Sequence, residues 1–103
     1  MTLMDCTLKI CKMRGVDPSL VNETRFTHMP YKNSIMEGIV IKTEIELIIV
    51  PNLMDVELIY SYDTSIWKKE EDIINDLYQH NLSQRLIAQI FRCNQASISR
   101  KTK

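Results

Sequence analysis

Two hydrophobic periods divide the chain. From Ile39 to Ile49 apolar and polar positions alternate: Ile39, Ile41, Thr43, Ile45, Leu47 and Ile49 share one face of an extended strand, and Lys42, Glu44 and Glu46 take the other. A period of two is the mark of a strand with one face buried. Pro51-Asn52 interrupts the run, and a second alternation follows through Val56, Leu58, Tyr60 and Tyr62, so a hairpin or meander through residues 51–55 is the expected link. Thr7 to Met13 and Thr24 to Met29 are weaker strand candidates, separated by a turn at Gly15-Val16-Asp17-Pro18. A short helix over Pro18 to Glu23 is also expected, because proline suits the first helical turn and Asp17 can cap it.

At Asp63-Thr64-Ser65 the period changes. Thr64 or Ser65 can act as N-cap, Glu70, Glu71 and Asp72 fall in early turns where the helix dipole favours negative charge, and Ile66, Ile73, Ile74 and Leu77 recur near helical spacing with Trp67 and Tyr78 beside them. This predicts a helix of about four turns ending near His80-Asn81, with Asn81 as a left-handed cap. A second helix follows Ser83, apolar on its inner side through Leu86, Ile87, Ile90 and Phe91. Arg92-Cys93-Asn94 then separates it from a third, Gln95 to Lys101. The expected fold class is α+β: a small antiparallel β-sheet over residues 1–63, followed without a low-complexity linker by a three-helix lobe over residues 64–103.

Composition changes the picture mainly through charge. The 103 residues are 45% hydrophobic and 25% charged, which suits a globular domain rather than a disordered chain. A formal net charge of zero, taken alone, argues against a nucleic-acid partner. The distribution argues the other way. Residues 85–103 hold Arg85, Arg92, Arg100, Lys101 and Lys103 with no acidic residue, whereas residues 63–84 set two lysines against five carboxylates and residues 1–62 set six basic residues against eight acidic ones. Such segregation is expected of a molecule with one anion-facing surface.

Candidate chemistry is sparse. Cys6, Cys11 and Cys93 are an odd number of cysteines behind an N-terminus that lacks a basic stretch and an apolar core, and they are read as reduced thiols in the cytoplasm. With His28 they make no closely spaced ligand pairs, so neither a metal nor a cofactor is expected. No catalytic residue is predicted, because no glycine-rich phosphate loop, metal-ligand pair or Ser/His/Asp spacing is present. The longest apolar stretch, Ile39 to Val50, is broken by Lys42, Glu44 and Glu46 and is short of the ~20 residues that span a bilayer, so no membrane contact is expected.

The segment from Gln84 to Arg100 resembles the helix-turn-helix signature of bacterial and phage regulators, over roughly residues 82–101. Ser83-Gln84-Arg85 opens it and Ile98-Ser99-Arg100 closes it, in the manner of Trp-repressor-like and resolvase-like domains. Each core position has a physical reason: Ala88 is small where the two helices cross, Ile87 and Phe91 pack beneath the crossing, Cys93 fills the apolar position of the turn and Ile98 anchors the second helix. One position departs from the pattern. Arg92 stands where glycine is usual, and a left-handed backbone there would be strained by roughly a kcal/mol.

The resemblance implies that Asn94 caps the recognition helix while Gln95, Ala96, Ser99 and Arg100 read bases in the major groove, glutamine pairing with adenine, arginine with guanine and alanine touching a thymine methyl. Gln84, Arg85, Asn94, Lys101 and Lys103 would contact phosphates. It further implies double-stranded DNA as the partner of a transcription regulator, a repressor by type, that works as a homodimer because so short a reader engages little groove alone. A free edge of the N-terminal sheet is the expected dimer surface. The alternative is a protein-interaction adaptor, antirepressor or antitoxin-like, that meets a protein partner through the N-terminal sheet and its Glu44-Glu46 face.

Overall fold

A computed structural model describes residues 2–102. Its elements are α1 (Leu3–Arg14), a short 3-10 turn (Pro18–Leu20), β1 (Val21–Tyr31), β2 (Ser34–Thr43), β3 (Glu46–Val50), β4 (Tyr60–Asp63), α2 (Glu70–Gln79), α3 (Gln84–Ile90) and α4 (Gln95–Lys101). The class is α+β, with a four-stranded antiparallel sheet in the order β1-β2-β3-β4 followed by three helices.

The first correction is at the N-terminus, where Thr7 to Met13 is helix rather than strand. Thr2 and Asp5 form a capping box, Gly15 closes the helix with a left-handed backbone at φ 69°, and Cys6, Thr7, Ile10 and Cys11 form the buried stripe. Those four positions fit a helical period, whereas the alternation expected of a strand would have buried every second residue.

The second correction is to the run from Ile39 to Ile49, which is two strands and not one. Thr43 Oγ1 accepts hydrogen bonds from the Ile45 and Glu46 amides at 3.3 and 2.9 Å, so the chain reverses at Glu44-Ile45 and Ile41 pairs with Ile48. Reversal changes which parity faces which layer. Ile39, Ile41, Ile48 and Val50 pack with Cys6 and Ile10 of α1, while Val40, Leu47 and Ile49 face the C-terminal helices. Ile45, expected on the buried face, is 63% exposed at the turn.

Two boundaries also move. The link from β3 to β4 covers residues 51–59, so Val56 and Leu58 are outside any strand. Helix α2 begins at Glu70, with Lys69 as an N-cap that makes no side-chain bond. Asp63 is the reason: its carboxylate accepts from the amide and hydroxyl of Ser65, and its carbonyl accepts from the Ile66 and Trp67 amides, which holds residues 63–67 in a turn. Asp17 does cap the turn after it, accepting from the Ser19 amide at 3.0 Å, but that turn ends at Leu20. The far end of α2 is as expected, with Asn81 left-handed at φ 68°.

The three C-terminal helices do not form a core of their own. Val40, Leu47, Ile49 and Tyr62 of the sheet share one cluster with Ile73, Ile74 and Leu77 of α2, Leu86, Ile87 and Ile90 of α3 and Ile98 of α4. Tyr62 is the polar contact inside it: buried to 3% exposure, it donates from its hydroxyl to Asp76 Oδ2 at 2.7 Å. Burial, and then the Asp76 carboxylate beside it, push the phenol well above its ordinary range. A raised folded-state pKa keeps its stabilisation intact below the unfolded value of about 10 and loses it as pH climbs beyond that. We therefore expect Tyr62→Phe to cost about 1 kcal/mol at neutral pH and to flatten the decline in stability above about pH 10. Urea midpoints of both proteins across that pH range measure it; parallel declines would contradict the role given to the hydroxyl.

Candidate nucleic-acid interface

Helix α3 is capped by Ser83, whose Oγ accepts from the Leu86 amide at 3.1 Å. Its inner side buries Leu86, Ile87, Ala88 and Ile90. The helix ends at Phe91, the chain turns through Arg92 with a left-handed backbone at φ 54°, and the Cys93 amide donates back to the Ala88 carbonyl at 3.0 Å. Asn94 then caps α4, its Oδ1 accepting from the Ser97 amide at 2.8 Å. Ile98 is the one buried residue of α4 and is fully enclosed. Phe91 and Cys93 are half-buried and pack against the same cluster.

The residues expected to read bases are mostly outward. Gln95, Ala96 and Arg100 are exposed and Ser99 is half-buried. Arg100 lies over its own helix, Nη2 donating to Ser97 Oγ at a long 3.4 Å. Among the residues expected at phosphates, Arg85, Asn94 and Lys101 are exposed, and Lys103 lies outside the described residues. Gln84 is different. It is half-buried and its Nε2 donates to Thr102 Oγ1 at 3.0 Å, tying the start of α3 to the end of α4. Arg100 and Lys101 occupy the last turn of α4, where the helix dipole independently favours cations. Among the described residues no group of three or more His, Cys, Asp or Glu side chains could hold a metal ion, and no helix is long and apolar enough to cross a membrane.

Sequence reasoning missed what holds this helix pair in place. The Gln89 amide clamps the outer edge of β1: Oε1 accepts from the His28 amide at 2.7 Å and Nε2 donates to the His28 carbonyl. Arg25 Nη2 donates to the Ile90 carbonyl, satisfying a helix C-terminal acceptor, and Glu23 of the same strand pairs with Arg92 at 2.8 Å. Each partner lies some sixty residues away in sequence, so no local signal marks these bonds. They also cover the middle of the β1 edge, leaving the four-residue β4 at the other edge of the sheet. Three cysteines are free thiols, Cys6 and Cys11 buried and Cys93 half-buried; burial, and then the nearby Asp17 and Glu46 carboxylates, raise the Cys11 thiol above its usual range.

No protein-family model matches this chain, and neither a curated protein nor a solved structure matches it.

Proposed function

We propose that this chain is a sequence-specific DNA-binding regulator in which α3, the turn and α4 form a helix-turn-helix and α4 enters the major groove. The observation that carries the reading is the two-sidedness of α4: Ile98 is enclosed, while Gln95, Ala96 and Arg100 are exposed and Arg100 and Lys101 occupy its last turn. Gln95 and Arg100 have the donors and acceptors that bidentate base contacts need, and Ala96 offers a methyl-sized apolar surface. Arg85, Lys101 and Lys103 hold phosphates, with Asn94 at the start of α4 and Gln84, its Nε2 bound to Thr102, at the start of α3 beside them. Seven residues of α4 span only about 10 Å, so two copies reading adjacent half-sites are required for useful affinity, and a homodimer in the cytoplasm is part of the proposal.

A mobility-shift assay against a random duplex pool tests this. If the three cations of each copy meet phosphates, six in the dimer, binding should fall by about 10³-fold between 50 and 200 mM salt. Arg100→Ala should relax base preference at one position, costing about 1–3 kcal/mol on the cognate duplex alone, whereas Lys101→Ala should weaken every sequence equally. Retention that ignores salt, or equal losses on all duplexes for both variants, defeats the assignment.

A further inference from the structure

A cleft of about 340 Å³ opens between the sheet and the helices. Its floor is apolar, with Val40 and Leu47 from the sheet and Ile73 from α2, all buried, and Trp67 stands half-buried at the side with its ring edge-on to Tyr62 at 5.0 Å. Its rim is cationic. Arg25, Lys42, Lys68 and Arg92 line it against two carboxylates, Glu23 and Glu70, an excess of two positive charges in a chain whose net charge is zero. Glu23 is divided between two guanidiniums, 2.8 Å from Arg92 Nη2 and 3.4 Å from Arg25 Nε. Among the described residues Lys42 and Lys68 have no ion-pair partner. Small-molecule sites commonly occupy roughly 300–1,000 Å³ and combine an apolar lining with a few convergent polar groups.

We propose that this cleft binds a small amphipathic carboxylate, whose charged end joins Arg92 and the two lysines at the rim and whose apolar body lies on Leu47, Ile73 and the Trp67 ring. A carboxylate is the matching anion because the group already seated between the two guanidiniums is one, that of Glu23, and guanidinium forks match carboxylate geometry. Occupancy would set the ligand in competition with Glu23 for Arg92. Arg92 is the left-handed residue of the turn that leads into α4, so on the DNA-binding reading above a ligand here would bear on how α4 is presented. The binding itself does not depend on that reading.

Trp67 is the sole tryptophan and lines the cleft as well as a hollow beside Ile66 and Asp76, so its fluorescence follows binding and the variants at Lys68 and Glu23 assign it to the cleft. Titration of the full chain with phenylpropionate should give a saturable change, with phenylpropanol, its uncharged counterpart, binding about ten-fold more weakly. Lys68→Gln should weaken the acid by about three-fold, as expected for one exposed charge. Glu23→Gln should tighten it, because it removes the carboxylate that competes for Arg92 while Arg25 stays on the Ile90 carbonyl, and a misfolded variant would not imitate a gain. Equal affinity for acid and alcohol, a response that never saturates, or weaker binding by Glu23→Gln would overturn the proposal. So would capture of an acidic aromatic peptide by a protein that ignores phenylpropionate, since the occupant would then be another protein. Loss of DNA binding with this titration intact would sink only the reading of α4.

Discussion

Ile98→Ala should cost about 3 kcal/mol of stability, within the 2–5 usual for emptying a fully enclosed aliphatic site, and should lower the melting temperature by more than 10 °C at about 4–8 °C per kcal/mol. Ile98 is the sole buried residue of α4 and packs in the cluster that includes Ile87 and Ala88 of α3. A helix of seven residues has no stability of its own, so this one side chain is what docks it. The consequence is local before it is global. Amide exchange should rise first in α4, and duplex binding should fall by more than the population of unfolded chain accounts for. Ile98→Val, which keeps most of the volume, should cost about 1 kcal/mol and retain binding. Full duplex affinity in Ile98→Ala would separate α4 from the function proposed for it.

Gly38→Ala is expected to destabilise the protein by about 3 kcal/mol or more, at or beyond the upper end of the cost of overpacking. A Cβ at Gly38 would lie 2.5 Å from the carbonyl oxygens of both Val50 and Pro51 and 2.7 Å from Thr27 Oγ1. Thr27 could rotate. The two carbonyls cannot, because the chain leaving β3 is pinned across β2 at this point by the Leu53 amide donating to the Glu37 carbonyl at 2.8 Å. The other glycine provides the control. Gly15 is left-handed at φ 69° with nothing within 4 Å of an added Cβ, so Gly15→Ala should cost only about 1 kcal/mol of backbone strain. Urea unfolding of the two variants checks the contrast; equal losses would contradict the close crossing of residues 50–53 over Gly38.

The local signals at the C-terminal end were legible because each depends on residues a few positions apart. Ser83 and Asn94 cap the helices that follow them, Asn81 and Arg92 take left-handed backbones, and Ala88 and Ile98 are buried. Local signals also mark α1: Thr2 with Asp5 three residues on, and Gly15 after Arg14, bracket a helix whose interior alternates well enough to pass for a strand. The hairpin at Glu44-Ile45 was hidden for a different reason. With helices on both faces of the sheet, either parity can be buried, so the period of two shows that residues 39–50 are extended without showing where they turn.

Short-range stereochemistry, written in caps, turn residues and apolar spacing, was therefore enough to determine an α+β chain whose last helix is anchored on one side and polar on the other. The placement of that helix pair was decided by tertiary structure alone. Gln89 on the backbone of His28, Arg25 on the carbonyl of Ile90 and Glu23 between two arginines join groups that only the folded sheet brings together. The cleft beside them has the same origin, since a cationic rim over an apolar floor arises only when β1, β2, α2 and the turn after α3 meet. Hydrogen bonds and charges act over a few ångströms of space, and separation along the chain carries no record of which of them will meet.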